Sequence, residues 1–217
     1  MQASTYLLSM DGDRCTIDNH NEGTTIKTVE ERILDAAMVI FSKNGYNGAT
    51  TIKIAEKAGV NEITIFRKFK SKENLLKTVI QKNQSETLET LDYILCMEKS
   101  ADVEDCIKTL GITLNQFLDE RMDFVFMMAT EGRKRPEIMD LFTQFRRKLI
   151  GHLSEYFQEQ INQGNIRKLD PDLLAMTLFN FIFSKSLSVK IFKDNLIKDD
   201  LEVYGEYTDI FMRGIAL

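Results

Sequence analysis

The sequence predicts an all-α protein, and three observations carry that prediction. Of 217 residues 43% are hydrophobic, enough to fill a sizeable core, while only two are proline and eleven glycine, so little interrupts helices. Leu, Ile, Phe, Met, Lys and Glu recur at helical spacing. Alternating apolar and polar runs bounded by turns, the mark of strands, are scarce. The expected layout is a flexible N-terminal arm over 1–27, a three-helix helix-turn-helix domain over 28–80 and a larger helical bundle over 81–217, about nine helices in all.

Residues 1–27 are polar and aperiodic, with Asp11-Gly12-Asp13 and Asn19-His20-Asn21, and are expected as a tail. An arm reaching a DNA minor groove is the other reading, but Arg14 and Lys27 are its only cations. The first helix is expected from Thr28 to Asn44. Thr28 and Glu31 have capping-box spacing, Ile33, Ala36, Ala37, Ile40 and Phe41 form one apolar stripe, and Gly45 follows. Thr50 or Thr51 caps a second helix ending at Ala58, Gly59 makes a turn, and Asn61 caps a third helix over 62–69. Ile52, Ala55, Ala58, Val60, Ile65 and Phe69 are the apolar set expected to pack the second and third helices on the first. Ser71 caps a rod-like fourth helix over about 72–96. Five more helices are expected at 103–118, 123–131, 136–163, 171–192 and 201–215, with Pro136 and Pro171 in first turns, where a missing N–H costs nothing.

The net charge of −5 argues at first against a polyanionic partner, but its distribution reverses that. Lys27 to Lys82 hold eleven Lys/Arg against six Asp/Glu, a balance of +5, so the remainder carries −10 of the total −5. A basic small domain on an acidic body is the layout of a DNA reader. Cys15, Cys96 and Cys106 are odd in number and widely spaced, which suggests thiols in a reducing cytoplasm and neither a disulfide framework nor a metal site. No apolar run approaches the ~20 residues that span a bilayer. Tyr6-Leu7-Leu8 is too short for a signal peptide, so a soluble, cytoplasmic protein is expected.

Two helix starts in the basic domain offer unpaired N–H groups and a positive dipole end, which suits phosphate. Thr50, Thr51 and Lys53 stand at one; Arg67, Lys68, Lys70 and Lys72 surround the other. The third helix is too short for a large core role of its own, so its outward residues are the expected base readers: Asn61, Glu62, Ile63, Thr64 and Phe66. Glu62 can accept from a cytosine amino group and Ile63 can meet a thymine methyl. Taken alone, Lys68, Lys70 and Lys72 would be read as a solvated face.

These residues carry a resemblance. Phe41-x-x-x-Gly45-Tyr46, Thr50-Thr51, Ile54-Ala55-x-x-Ala58-Gly59-Val60 and Thr64-Ile65-Phe66-Arg67-x-Phe69-Lys70-Ser71-Lys72-Glu73-x-Leu75-Leu76 resemble the DNA-binding domain of the tetracycline-repressor (TetR) family. The match spans residues 29–80, about a quarter of the chain. The resemblance implies the same base-reading positions. The family often has a small residue where Ile63 stands, Tyr where Phe66 stands and His where Lys68 stands. Phe66 therefore lacks a phosphate-donating hydroxyl, and Ile63 is bulkier.

The resemblance also implies a ligand cavity in the body and a homodimer through the helices at about 171–192 and 201–215. Helix 171–192 is apolar nearly all round, which fits burial on more than one face. Ten Met and fourteen Phe suit a small apolar effector. Phe117, Phe124, Met127, Met128, Phe142, Phe145, Leu149, Phe179 and Phe183 are the expected lining, with His152 and Asn180 as polar groups that can orient a ligand; ordinary core is the plainer reading of each. Gly-rich phosphate loops, nucleophile elbows and His-Glu-x-x-His are absent from the sequence, so no catalytic residue, metal or cofactor is expected. The expected function is ligand-responsive regulation of transcription, as a repressor binding a palindromic operator in double-stranded DNA. The alternative is a helical protein-interaction module without DNA binding, which leaves the basic helix-turn-helix unexplained.

Overall fold

The computed structural model describes residues 9–11, 14–16, 27–97, 102–192 and 200–215. Within the expected arm, two three-residue strands, β1 (Ser9–Asp11) and β2 (Arg14–Thr16), pair antiparallel with Met10 opposite Cys15. Everything else regular is helical: α1 (Val29–Gly48), α2 (Thr51–Ala58), α3 (Glu62–Phe69), α4 (Lys72–Met97), α5 (Val103–Gly132), α6 (Pro136–Gln163), α7 (Pro171–Phe192) and α8 (Asp200–Ile215).

Local sequence accounts for most boundaries. The Thr28 hydroxyl accepts the Glu31 N–H (3.2 Å) and the Glu31 carboxylate accepts the Thr28 N–H (2.7 Å), the capping box read from the sequence. Those bonds from Thr28 hold the Glu31 carboxyl below its usual range. The backbone of α1 breaks at Gly45, with φ 66° and ψ 173°, where the first helix was expected to finish. Gly59, at φ 66° and ψ 41°, turns α2 into α3, and the left-handed conformation explains the glycine.

One expectation fails. The helices predicted at 103–118 and 123–131 are a single thirty-residue helix, α5, so the described residues hold eight helices rather than about nine. Asp119-Glu120-Arg121 breaks the apolar stripe without breaking the helix, because none of the three is a helix breaker. The stripe shifts because the helix changes partner. Val103, Cys106, Ile107, Leu110 and Leu114 belong to the core of the body, while Phe124, Met127 and Met128 belong to the core of α1–α4. The expected division near residue 80 is therefore bridged: the helix-turn-helix core includes side chains of α5 and Ile138 of α6.

Gly111 lets α8 approach α5. A Cβ there would lie 2.8 Å from Cε1 of the buried Tyr204. Beside that contact Asn115 Oδ1 accepts from Tyr204 (3.0 Å), Ser186 (3.0 Å) and Lys185 (3.2 Å), which joins α5, α7 and α8 through buried polar groups. The helix α7 has the length and hydropathy of a membrane span, but Leu174, Ala175, Leu178 and Ile182 are buried in the body core.

Candidate nucleic-acid interface and ligand cavity

Ile54, Ala55 and Ala58 of α2 and Ile65 and Phe69 of α3 are buried against α1 and α4. Spacing by three and four along α3 then turns Ile63, Phe66 and Arg67 outward. Ile63 is 73% exposed and Phe66 45%, large fractions for apolar side chains in a domain that buries its other aromatics. Ile52, expected in the packing set, is instead 55% exposed, and Ile54 occupies the core position.

The N-termini are built as anticipated. The Thr50 hydroxyl accepts the Lys53 N–H (3.2 Å), Asn61 Oδ1 accepts the Ile63 N–H (2.9 Å), and the Ser71 hydroxyl accepts the Asn74 N–H (3.1 Å). Thr51 is half-buried and donates to the Glu62 carboxylate, tying the starts of α2 and α3 together. Thr64 is half-buried. Lys53, Asn61, Arg67, Lys68 and Lys70 are exposed. Lys68 pairs with Glu30 of α1 at 3.0 Å, and Lys70, whose φ of 67° is unusual for a residue with a side chain, caps α3 and donates to the Arg67 carbonyl.

Lys72 departs from the expected outward cation. Its ammonium donates to the carbonyls of Tyr46 (2.9 Å) and Ala49 (3.0 Å) at the end of α1, and stands 4.4 Å from the centre of the Tyr46 ring. Arg135 covers the same ring at 4.1 Å. Burial, with the nearby Arg135 charge, lowers the Lys72 pKa. Orphan carbonyls at the end of a helix satisfy this lysine.

A narrow apolar cavity of about 50 Å³ lies between α4, α5, α6 and α7. It brings together Phe117, Met128, Phe142, Phe145, Leu149, Phe179 and Phe183 of the expected lining. Four expected residues stand elsewhere. Phe124 is buried in the helix-turn-helix core, and Met127 joins that core while edging an open surface groove with Ser42 and Thr130. His152 pairs with Asp92 outside the cavity, and Asn180 is exposed. On α6 and α7 the apolar stripes are wider than the cavity, so spacing alone does not separate lining from flank. Sequence reasoning missed two arginines in the wall, Arg121 and Arg146, because charged residues on a helix read as solvent-facing. The Arg121 guanidinium stacks 3.5 Å from the Phe117 ring centre, and Arg146 lies 5.9 Å from that of Phe179.

Comparison with known proteins agrees with this geometry. Residues 33–79 match the family described as bacterial regulatory proteins, tetR family. An HTH-type transcriptional regulator of Bacillus subtilis, YvkB, is 27% identical over 192 residues, 88% of this chain and 99% of that protein. A fatty acid metabolism regulator protein of Bacillus subtilis is 27% identical over 155 residues, 70% of this chain and 78% of its own. The crystal structure of the transcriptional regulator FadR from Bacillus subtilis in complex with stearoyl-CoA superposes with a TM-score of 0.69 at 20% identity, covering 84% of this chain and 97% of that one. A helix-turn-helix with an outward third helix and the family match over residues 33–79 identify a tetR-family DNA-binding domain there, and relatives aligned along most of the chain include a transcriptional regulator.

Proposed function

We propose that the protein is a repressor that grips a palindromic operator as a homodimer and leaves it when a small apolar effector enters the body. The outward face of α3 carries this reading: Ile63 and Phe66 have no folding reason to be bare, and Lys53, Arg67, Lys68 and Lys70 surround them with charge. The apolar side chains suit thymine methyls, while the cations and helix starts suit phosphates.

A dimer through α7 and α8 is supported by large apolar side chains that a single chain leaves bare, among them Leu173 and Phe192 on α7 and Leu201 and Ile210 on α8. Two-fold pairing would set two copies of α3 about one duplex turn, ~34 Å, apart. The effector reading rests on the phenylalanine-rich cavity beside α4, the helix that begins at Lys72 just after α3. The fatty acid metabolism regulator among the relatives, and stearoyl-CoA in the similarly folded FadR, support a long acyl chain as the apolar part. The cavity of about 50 Å³ is well below the ~300 Å³ of ordinary ligand sites, so binding has to part its walls and thereby move α4. Such movement shifts the DNA equilibrium only by the effector's differential affinity for the two forms. A repressor acting on chromosomal DNA works in the cytoplasm.

Selection of bound fragments from a genomic duplex library by the purified protein tests the first half. Recovery of a palindromic sequence with half-sites one turn apart is the expected result; salt-independent, sequence-blind recovery would overturn it. Adding an acyl ligand to the selected duplex in a mobility-shift titration tests the second half, with release as the expected result.

A further inference from the structure

Among the described residues that line the apolar cavity, one buried side-chain nitrogen has no hydrogen-bond partner. Arg121 projects from α5 into the wall with its side chain only 15% exposed. Its Nε is buried and has no hydrogen-bond partner. Its other nitrogens are held at long range: 3.4 Å to the Phe117 carbonyl, 3.1 Å to Glu120 and 3.4 Å to Glu86. Charge-assisted bonds normally close to ~2.8 Å, and guanidinium forks favour two parallel bonds to one anion. A buried cation with a free donor and loose partners is the chemistry of an anion site awaiting its occupant.

The partner it would release is connected. The second Glu86 oxygen lies 3.6 Å from Lys82, one turn earlier on α4. Lys82 reaches across to Asp35 of α1 at 2.8 Å, and Asp35 also holds Lys27 at 2.6 Å. The first turn of α1 holds the third helix through Glu30 and Lys68. Alternating charges therefore run from the cavity wall through α4 to the helix-turn-helix. Each pair is part-exposed and individually weak, so one competing anion is enough to re-sort them.

We propose that Arg121 is the anion-reading residue of the cavity: the effector is an amphiphile whose negatively charged end takes Arg121 from Glu86. Glu86, freed, then competes with Asp35 for Lys82 and loosens α1 from α4. This rests on the apolar-effector reading above and adds the charge of the ligand, the residue that meets it and the route by which α1 learns of it. The shared chemistry is a long apolar chain ending in an anion, whether a free carboxylate or the phosphates of an acyl-CoA.

Calorimetric titration of the full chain with palmitate, palmitoyl-CoA and hexadecanol tests it. Either anionic ligand should bind at least about tenfold tighter than hexadecanol, and Arg121→Gln should abolish that preference while hexadecanol binding persists. Which anion binds tighter identifies its source. Hexadecanol binding as tightly as both anions overturns the proposal and leaves the apolar-effector reading standing; binding of none of the three overturns both. A preference that survives in Arg121→Gln overturns the assignment to Arg121. Should that variant fail to fold, Glu86→Gln serves: with the competitor neutralised, the anionic ligand should bind several-fold tighter, and unchanged affinity overturns the proposal. In the wild type the ligand should also speed amide hydrogen exchange in α1, an effect that Glu86→Gln should lose; exchange unaffected by a bound anion overturns the route.

Discussion

Two lysines of the helix-turn-helix separate reading from folding. Lys53 is exposed at the start of α2, whereas Lys72 is folded onto the end of α1. Lys53→Ala should weaken binding to every duplex alike and lower the log–log salt slope by about 0.9, as measured by fluorescence anisotropy across a salt series. Lys72→Ala should instead lower the free energy of unfolding by roughly 1 kcal/mol in urea melts, since two carbonyls lose a charged donor. Ile63→Ala should change which duplexes are preferred more than how salt affects them. Asp35 and Lys82 supply a pH test. Burial pushes the Asp35 carboxyl up, but bonds from Lys27 and Lys82 outweigh it and the net shift is downward. Burial pulls Lys82 down, but its bond to Asp35 outweighs that and the net shift is upward. The Asp35 contribution is thus complete above its unfolded value of ~3.9 and lost as pH falls through the lower folded value; that of Lys82 is complete below ~10.4 and lost as pH rises through the higher one. Lys82→Met should flatten both limbs of a stability–pH curve from chemical denaturation. The chemistry of Lys53, Ile63 and Lys72 was legible in the sequence, but the direction of Lys72 was not: a lysine in a basic motif reads as outward until the carbonyls at the end of a neighbouring helix come within its reach.

Helix ends were more legible than helix faces. Thr28 with Glu31, Gly59, Asn61 and Pro136 act through bonds or backbone preferences within a few residues, and each marks the boundary it predicted. The division of α5 into two was misread because a stripe that shifts along one helix looks the same as two helices when the partners are unknown. Lining residues were legible as a class, since Phe117, Phe145 and Phe183 do meet in the cavity. Phe124 went to another core because that choice depends on where α1 lies across α5. The contact between α5 and α8 rests on the absent side chain of Gly111. Gly111→Ala should drive the Tyr204 ring off α5 and cost about 1–3 kcal/mol in thermal or urea melts, despite the better helix propensity of alanine.

Across the whole molecule, the bare apolar residues of α7 and α8 lie on helices outside the α1–α4 core that presents the basic residues. With the proposed dimer through α7 and α8, Leu201→Glu with Ile210→Glu should yield a monomer in sedimentation velocity while leaving each chain folded. Its affinity for a two-half-site duplex should fall on the order of 100-fold or more, as the second half-site is no longer tethered. A last consequence concerns time. Only about 50 Å³ stands open between the four helices that wall the cavity. An incoming molecule must wait for them to part, so the rate of association in rapid mixing should level off as its concentration rises. Under the proposed mechanism the switch keeps its own clock: more effector would increase how many copies respond, while the protein's breathing would set how soon the first of them can.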